Sequence, residues 1–198
     1  MKHLFNNRKF YDFANSLANS IENRINNYDK SKFDNNTIET LTEQLVEEFK
    51  IELPEIKEDA IYQNKPTDTK IRYSGRGNYG RSTSVDGTKY TLIIPFKGDS
   101  TMFGVFPSSF LSVLPYGIIE SDELKVVYEV PVGQDASRIK ADFDNNLVTI
   151  KKYLEFLAKD INDFNGKLEP SIKARLERRK DKLDNDDEIA NTFGFPIK

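Results

Sequence analysis

The chain has 198 residues, a formal net charge of −3 and 37% hydrophobic residues, which suffices for a core and excludes global disorder. It contains no cysteine, so disulfides, thiolate metal sites and Cys-His catalysis are excluded, and with the N-terminal His3 as its one histidine we expect no Ser-His-Asp triad. The sequence has no apolar run of about 18 residues and no signal-peptide pattern, so we expect a cytoplasmic protein that does not cross a membrane.

Two amphipathic helices are predicted within residues 1–55. Apolar residues recur every three or four positions over residues 8–28, which predicts the first helix. Asn36 or Thr37 can cap a second helix, which Leu53-Pro54 ends. Its expected buried stripe is Ile38, Leu41, Leu45 and Phe49. The two helices should form an antiparallel hairpin.

Residues 61–131 are predicted to form a β-sheet, because the hydrophobic period changes there from about 3.6 to 2. The expected strands are Thr69–Tyr73, Lys89–Phe96, Met102–Phe106, Val113–Glu120 and Glu123–Val130. Asp86-Gly87 and Ser121-Asp122 are predicted to be hairpin turns. Strands joined by such short connections should pair antiparallel.

A helical period returns in residues 134–184, with a continuous apolar seam from Phe143 to Phe164. Gly166 is expected to end this helix, and Pro170 to lie in the first turn of the next one. These signals predict a second helical hairpin. The seam could pair with a second copy of the chain, but packing inside the chain is favoured because other helices supply a partner.

The predicted fold is therefore α+β, with an antiparallel sheet of four to six strands packed with an N-terminal and a C-terminal helical hairpin. Residues 1–198 are interpreted as a single domain. An acidic turn at residues 184–188 precedes a short apolar segment that contains Gly194 and Pro196. That pattern is typical of a linker, so residues 185–198 are predicted to lead to a further C-terminal domain.

Basic residues cluster between positions 70 and 89, where Asp86 is the only acidic residue. The basic residues are Lys70, Arg72, Arg76, Arg81 and Lys89. Residues 31–60, by contrast, hold nine acidic and three basic side chains. The basic stretch is the predicted contact for an anionic partner. The alternative is that both stretches are solvated faces that keep the domain soluble.

The loop within this stretch, residues 75–80, matches the pattern G-x-G-x-x-G. A dinucleotide site requires a helix after such a loop, whereas a strand is predicted here, and kinase motifs are absent from the sequence. Tyr79 lies among arginines, so a second interpretation is single-stranded nucleic acid stacked on its ring. A third is an exposed hairpin loop without a ligand. The candidate residues for an anionic partner are Lys70, Arg72, Arg76, Tyr79, Arg81 and Lys89.

No acid/base arrangement is evident in the sequence. Asp142 with Asp144, and Asp160 with Asp163, lie among lysines on predicted helices and indicate solvated faces. We therefore expect no catalytic residue, no metal and no cofactor in this chain. The alternative is a small Mg²⁺-dependent nuclease that uses carboxylates of the sheet, or a nucleic-acid-binding protein.

Two stretches carry a resemblance to known proteins. The first is residues 94–99 with Phe103, Phe106, Pro107 and Ser108, and the second is residues 178–183 leading to residues 193–196. They resemble the N-terminal region of bacterial multidomain antiphage-defence proteins, in which such a module precedes an effector domain of the TIR or nuclease type. Abundant Asn, Lys and Ile likewise indicate a low-GC bacterial source.

The resemblance covers residues 70–198 and carries over no functional residue. It implies a non-catalytic sensing, docking or oligomerisation module. The implied partner is a C-terminal effector domain or another protein. The alternatives are nucleic acid and further copies of the chain in a homo-oligomer.

Overall fold

The computed structural model of the chain describes residues 2–73, 83–133 and 136–193. The chain divides into two compact units. The sheet unit consists of Met1–Lys9 and Glu52–Ala158, and the helical unit of Phe10–Ile51 and Lys159–Lys198. The interpretation of residues 1–198 as one domain stays a prediction. Within the described ranges, no helix has both the length and the apolar character needed to cross a membrane.

Three helices open the helical unit: α1 (Phe10–Asn26), α2 (Lys30–Asp34) and α3 (Ile38–Phe49). The first and third confirm the two helices predicted from the apolar period. Thr37 caps α3, because its hydroxyl accepts a hydrogen bond from the Thr40 N–H at 3.1 Å. The five-residue α2 is too short to show a period and was not predicted.

The helical unit is held together by one apolar cluster and by polar contacts to backbone ends. The cluster comprises Ile21, Ile25, Phe33, Leu41, Leu45, Leu168, Ile172 and Leu176. Nε and Nη2 of Arg179 both donate to the Tyr28 carbonyl, at 3.0 and 2.9 Å. This carbonyl lies in the connection between α1 and α2, so the guanidinium pairs a backbone acceptor outside both helices. Leu168, Ile172 and Leu176 of the C-terminal helix thus pack within the chain.

The C-terminal helix, α4 (Ala136–Phe193), corrects the predicted second hairpin, because it runs through Gly166 and Pro170 without a break. Proline lacks the N–H that would reach the carbonyl four residues earlier, which here belongs to Gly166. Both residues are exposed, so water can satisfy that carbonyl. Continuity keeps Leu168 and Ile172 buried on one stripe, and this burial outweighs the local cost.

The described residues of the sheet unit form nine strands. They are β1 (Lys2–His3), β2 (Arg8–Lys9), β3 (Glu55–Ile56), β4 (Tyr62–Gln63), β5 (Thr67–Tyr73), β6 (Thr83–Lys97), β7 (Val105–Phe106), β8 (Tyr116–Glu120) and β9 (Glu123–Pro131). Two 3₁₀ helices, Glu58–Ala60 and Ser100–Gly104, interrupt them. The second of these occupies most of the predicted strand at 102–106, leaving only β7 as strand.

The described strands form a seven-stranded antiparallel sheet, which confirms the predicted α+β class. Along one side of β6 the order is β9, β8 and β1, and along its other side lie β5, β4 and β3 in succession. The strands β2 and β7 form a separate parallel pair. The count exceeds the predicted four to six because β1, β3 and β4 span two residues each and carry no detectable period.

The hairpin turn predicted at Asp86-Gly87 is wrong, because both residues lie inside β6. Gly87 pairs with Thr69 on one side and Pro131 on the other. A Cβ on Gly87 would lie 2.5 Å from the Ile71 side chain, so this glycine permits close packing rather than a turn. The turn predicted at Ser121-Asp122 is confirmed, since it joins β8 to β9.

The core of the sheet unit combines the sheet with the first part of α4. Its buried residues include Phe5, Ile94, Phe96, Phe103, Leu124, Val126, Ile150, Tyr153, Leu154 and Leu157. Phe143, Ile150, Leu154 and Leu157, which belong to the part of the predicted seam within this unit, are buried there, and Leu154 is 7% exposed. The rings of Phe5 and Tyr153 stack with centroids 5.1 Å apart. These seam residues therefore pack inside the chain.

Asn146 on α4 hydrogen-bonds both backbone groups of Tyr116 in β8. Its Oδ1 accepts from the N–H at 3.0 Å, and its Nδ2 donates to the carbonyl at 2.9 Å. In the helical unit, Asn165 makes the same pair of bonds to Ile51, at 3.1 and 2.9 Å. The two asparagines replace strand partners that these backbone groups would otherwise need.

Replacing Asn146 by Leu, which has a similar volume, should leave the Tyr116 N–H and carbonyl unpaired. We expect the free energy of unfolding to fall by about 1–3 kcal/mol, the cost of unsatisfied buried polar groups. The adjacent Asn145 is exposed, so Asn145→Leu serves as the matched control and should be nearly neutral. Urea denaturation measures both. Equal stability of the two variants would show that the bonds of Asn146 contribute nothing.

Candidate functional site

The predicted basic stretch lies on the antiparallel hairpin of β5 and β6. Its pairs run from Thr67↔Lys89 to Tyr73↔Thr83, whereas β9 pairs with β6 only from Gly87 onward. Residues 70–73 and 83–86 therefore extend past β9 as a two-stranded ribbon, here called the hairpin arm. Lys70 and Arg72 lie on this arm, at the margin of the sheet.

The register of the hairpin divides the candidate cations between two faces. Lys70 lies opposite Asp86, and Arg72 lies opposite Ser84. Two residues that lie opposite each other have side chains on the same face of the sheet, and so do residues two positions apart on one strand. Lys70 and Arg72 are thus brought together, and both are exposed. Lys89 is exposed too, but it belongs to the alternate set, so it lies on the opposite face.

Three other candidates, Arg76, Tyr79 and Arg81, lie outside the described residues, as does the G-x-G-x-x-G segment at 75–80. Their assignment to an anionic contact stays a prediction.

The face that carries Lys70 and Arg72 has mixed charge rather than purely positive charge. Asp68 and Asp86 share it, since Asp68 precedes Lys70 by two positions and Asp86 lies directly opposite. Lys70 Nζ is 3.9 Å from a carboxylate oxygen of Asp86, and the two side chains are 76% and 82% exposed. Such an exposed pair contributes little to stability. The two cations therefore remain available to another partner.

The outer edge of β5 is open, because within the described residues β5 pairs with β6 alone. The direction of its backbone groups follows from the register. The Val132 N–H donates to the Asp86 carbonyl, so Asp86 and the alternate residues of β6 direct their backbone groups towards β9. The intervening residues of β6, such as Gly87, direct theirs towards β5. The Asn64 N–H bond to the Thr91 carbonyl, on the same side as β5, agrees with this assignment.

Consequently Thr69 and Ile71, which lie opposite Gly87 and Val85, bond to β6. Asp68, Lys70 and Arg72 direct their N–H and carbonyl groups away from β6, towards the open edge. The same three residues also place their side chains on one face of the hairpin. An open row of backbone donors and acceptors thus coincides with an ordered row of charges.

A second exposed surface is the loop from Ser108 to Val113. Phe110, Leu111 and Val113 are 61%, 41% and 66% exposed, and the Tyr153 hydroxyl donates to the Leu111 carbonyl at 3.0 Å. In the sequence, only the start of the strand at Val113 is predicted within this stretch. The signal that could have identified it is the absence of any charged residue over positions 100–119.

A polar cluster joins β8, β9 and α4 within the sheet unit. The Tyr116 hydroxyl donates to the Asp142 carboxylate and lies 3.2 Å from the Tyr128 hydroxyl. Burial is the main cause that raises the pKa of both tyrosines, so both hydroxyls stay protonated and act as donors. The cluster links the helix to the sheet.

Among the aspartates predicted to lie on solvated helix faces, Asp144 has an ion-pair partner. Asp144 forms an ion pair with Lys140, one turn earlier on the same helix, at 2.5 Å. In the part of the chain that the structure describes, no three His, Asp or Glu side chains come together as metal ligands.

Comparisons of the chain with protein-family models, with curated proteins and with solved structures find no match.

Proposed function

We propose that this chain is a non-catalytic docking module that binds an anionic segment of a partner protein through the hairpin of β5 and β6. The observation that carries the proposal is the placement of Lys70 and Arg72 side by side on the exposed face of the hairpin arm, at an open strand edge. The sequence resemblance to modules that precede an effector domain supports a docking role. By that resemblance, the partner is a C-terminal effector domain of the TIR or nuclease type or a separate protein in bacterial antiphage defence.

The mixed charge of the face favours a protein over nucleic acid. Nucleic acid presents a uniform row of phosphates, which Asp68 and Asp86 would repel. A protein segment can place acidic residues against Lys70 and Arg72 and a basic or neutral residue elsewhere. The net charge of −3 adds a general repulsion of polyanions.

The charge contact is tested with the double variant Lys70→Glu/Arg72→Glu and a fluorescein-labelled oligoglutamate peptide. The charge reversal replaces two exposed ion pairs by two repulsive pairs, so we expect binding to weaken about tenfold or more in fluorescence anisotropy. The matched control is Lys89→Glu, which reverses a charge on the opposite face of the same hairpin and should change affinity by about twofold at most. Binding of the wild-type chain should also weaken as salt is added.

Equal losses for the double variant and for Lys89→Glu would contradict a one-faced contact. A single-stranded oligothymidylate probe gives the nucleic-acid alternative its own outcome. If that probe binds more tightly than the peptide, and Tyr79→Ala weakens it roughly 5- to 150-fold, the partner is nucleic acid.

A further inference from the structure

We infer that the partner segment binds as an added antiparallel β-strand along the open edge of β5, and that it carries the order acidic–x–acidic–x–basic. This inference rests on the proposed docking function and names the form of the partner. The juxtaposition behind it is that Asp68, Lys70 and Arg72 present both their outward backbone groups and their aligned side chains at one edge.

The backbone supplies the affinity. An extended segment placed beside β5 can bond to the N–H and carbonyl groups of Asp68, Lys70 and Arg72, which have no strand partner within the described residues. Strand addition to an open edge is a common mode of peptide recognition, and antiparallel addition continues the pairing found throughout this sheet. The segment therefore has three successive bonding positions, two residues apart.

The side chains supply the order. Residues directly opposite each other in an antiparallel pair share a face, and opposite charges there stabilise the pair. Read from its N-terminus, an antiparallel segment meets Arg72 first, then Lys70, then Asp68. It therefore needs acidic residues at the first two bonding positions and a basic residue at the third. The intervening residues lie on the other face, opposite Thr69 and Ile71.

A second copy of this chain is a poorer occupant of the same edge. The two-fold pairing that sets Asp68 against Arg72 also sets Lys70 against Lys70 of the other copy, and like charges directly opposite destabilise a pair. A neighbouring register sets Pro66, which has no N–H, against Arg72. A lysine in the middle of an open edge is a known device against self-pairing.

The test uses labelled peptides that contain the core Glu-Thr-Glu-Thr-Lys and the full chain. A peptide of the same composition, with the core Glu-Glu-Thr-Lys-Thr, breaks the period of two and should bind about tenfold more weakly. N-methylation of the second Glu removes the N–H that would reach the Lys70 carbonyl, and it should also weaken binding about tenfold. The matched control is N-methylation of the first Thr, whose N–H points away from β5, and it should leave affinity within about twofold.

Asp68→Lys gives a charge-swap test on the protein. This variant should weaken binding of the parent peptide about fivefold and restore it for a peptide with the core Glu-Thr-Glu-Thr-Glu. The strand mode is overturned if both N-methylated peptides bind as the parent does, or if the parent does not bind the wild-type chain. Oligoglutamate binding that Lys70→Glu/Arg72→Glu abolishes would then still support the docking function. A wild-type dimer in sedimentation that Asp68→Lys dissociates would instead identify a second copy as the occupant.

Discussion

Replacing Phe103 by Ala is expected to lower the free energy of unfolding by about 3–5 kcal/mol, the usual range for a buried phenylalanine. Phe103 is 0% exposed, and its ring lies against two others. The centroid distances are 4.8 Å to Phe96 and 5.9 Å to Phe5. The substitution removes these ring contacts and leaves a cavity where the 3₁₀ helix at Ser100–Gly104 meets the core. Urea denaturation followed by circular dichroism measures the loss.

The matched control for Phe103 is Phe110→Ala, seven residues later. Phe110 is 61% exposed and contacts Phe106 with a centroid distance of 5.1 Å. We expect this variant to lose about 0.5 kcal/mol or less, because solvent already surrounds most of the ring. Comparable losses for the two variants would contradict the burial that distinguishes them.

Pro170→Ala is expected to raise the free energy of unfolding, by up to about 3 kcal/mol, because proline in the interior of a helix is unfavourable by that amount relative to alanine. The new N–H at position 170 can bond to the Gly166 carbonyl. Gly166→Ala should add about 1 kcal/mol, since a Cβ there meets no atom within 4 Å and the helix loses a flexible residue. Thermal or urea denaturation of both variants measures the gain.

The sign of these two changes separates a continuous α4 from the predicted hairpin. In a hairpin, Gly166 would be the residue just past a helix end and Pro170 a favoured first-turn residue. Alanine at either position would then be neutral or destabilising. A loss of stability in both variants would therefore restore the hairpin, whereas gains in both require one helix from Ala136 to Phe193.

Local patterns predicted the elements that a single period defines. The apolar stripe of α1, a cap of α3 at Asn36 or Thr37 and the turn at Ser121-Asp122 all depend on neighbours within a few residues. The structure contains the stripe and the turn, and it places the cap at Thr37. The seam around Leu154 was predicted to be buried for the same reason, and it is.

Local patterns failed where a residue has two roles. Asp86-Gly87 has the composition of a turn, yet Gly87 lies in the middle of a strand. The Ile71 side chain packs against Gly87 in the space that a Cβ would occupy, so the glycine is needed for packing. Gly166 and Pro170 have the composition of a helix break, yet burial of the flanking stripe keeps α4 continuous. In both cases distant contacts outweigh a local preference of about 1–3 kcal/mol.

The sequence by itself determined the α+β class, the main apolar stripes and the identity of the clustered cations, because these follow from composition and from periods along the chain. Only the tertiary structure decided which cations share a surface. Lys70 and Arg72 lie on one face and Lys89 on the other because the register of β5 against β6 assigns each residue its side. The open edge beside Lys70 was also invisible in the sequence. Whether a strand has one neighbour or two depends on pairings between residues far apart in the chain.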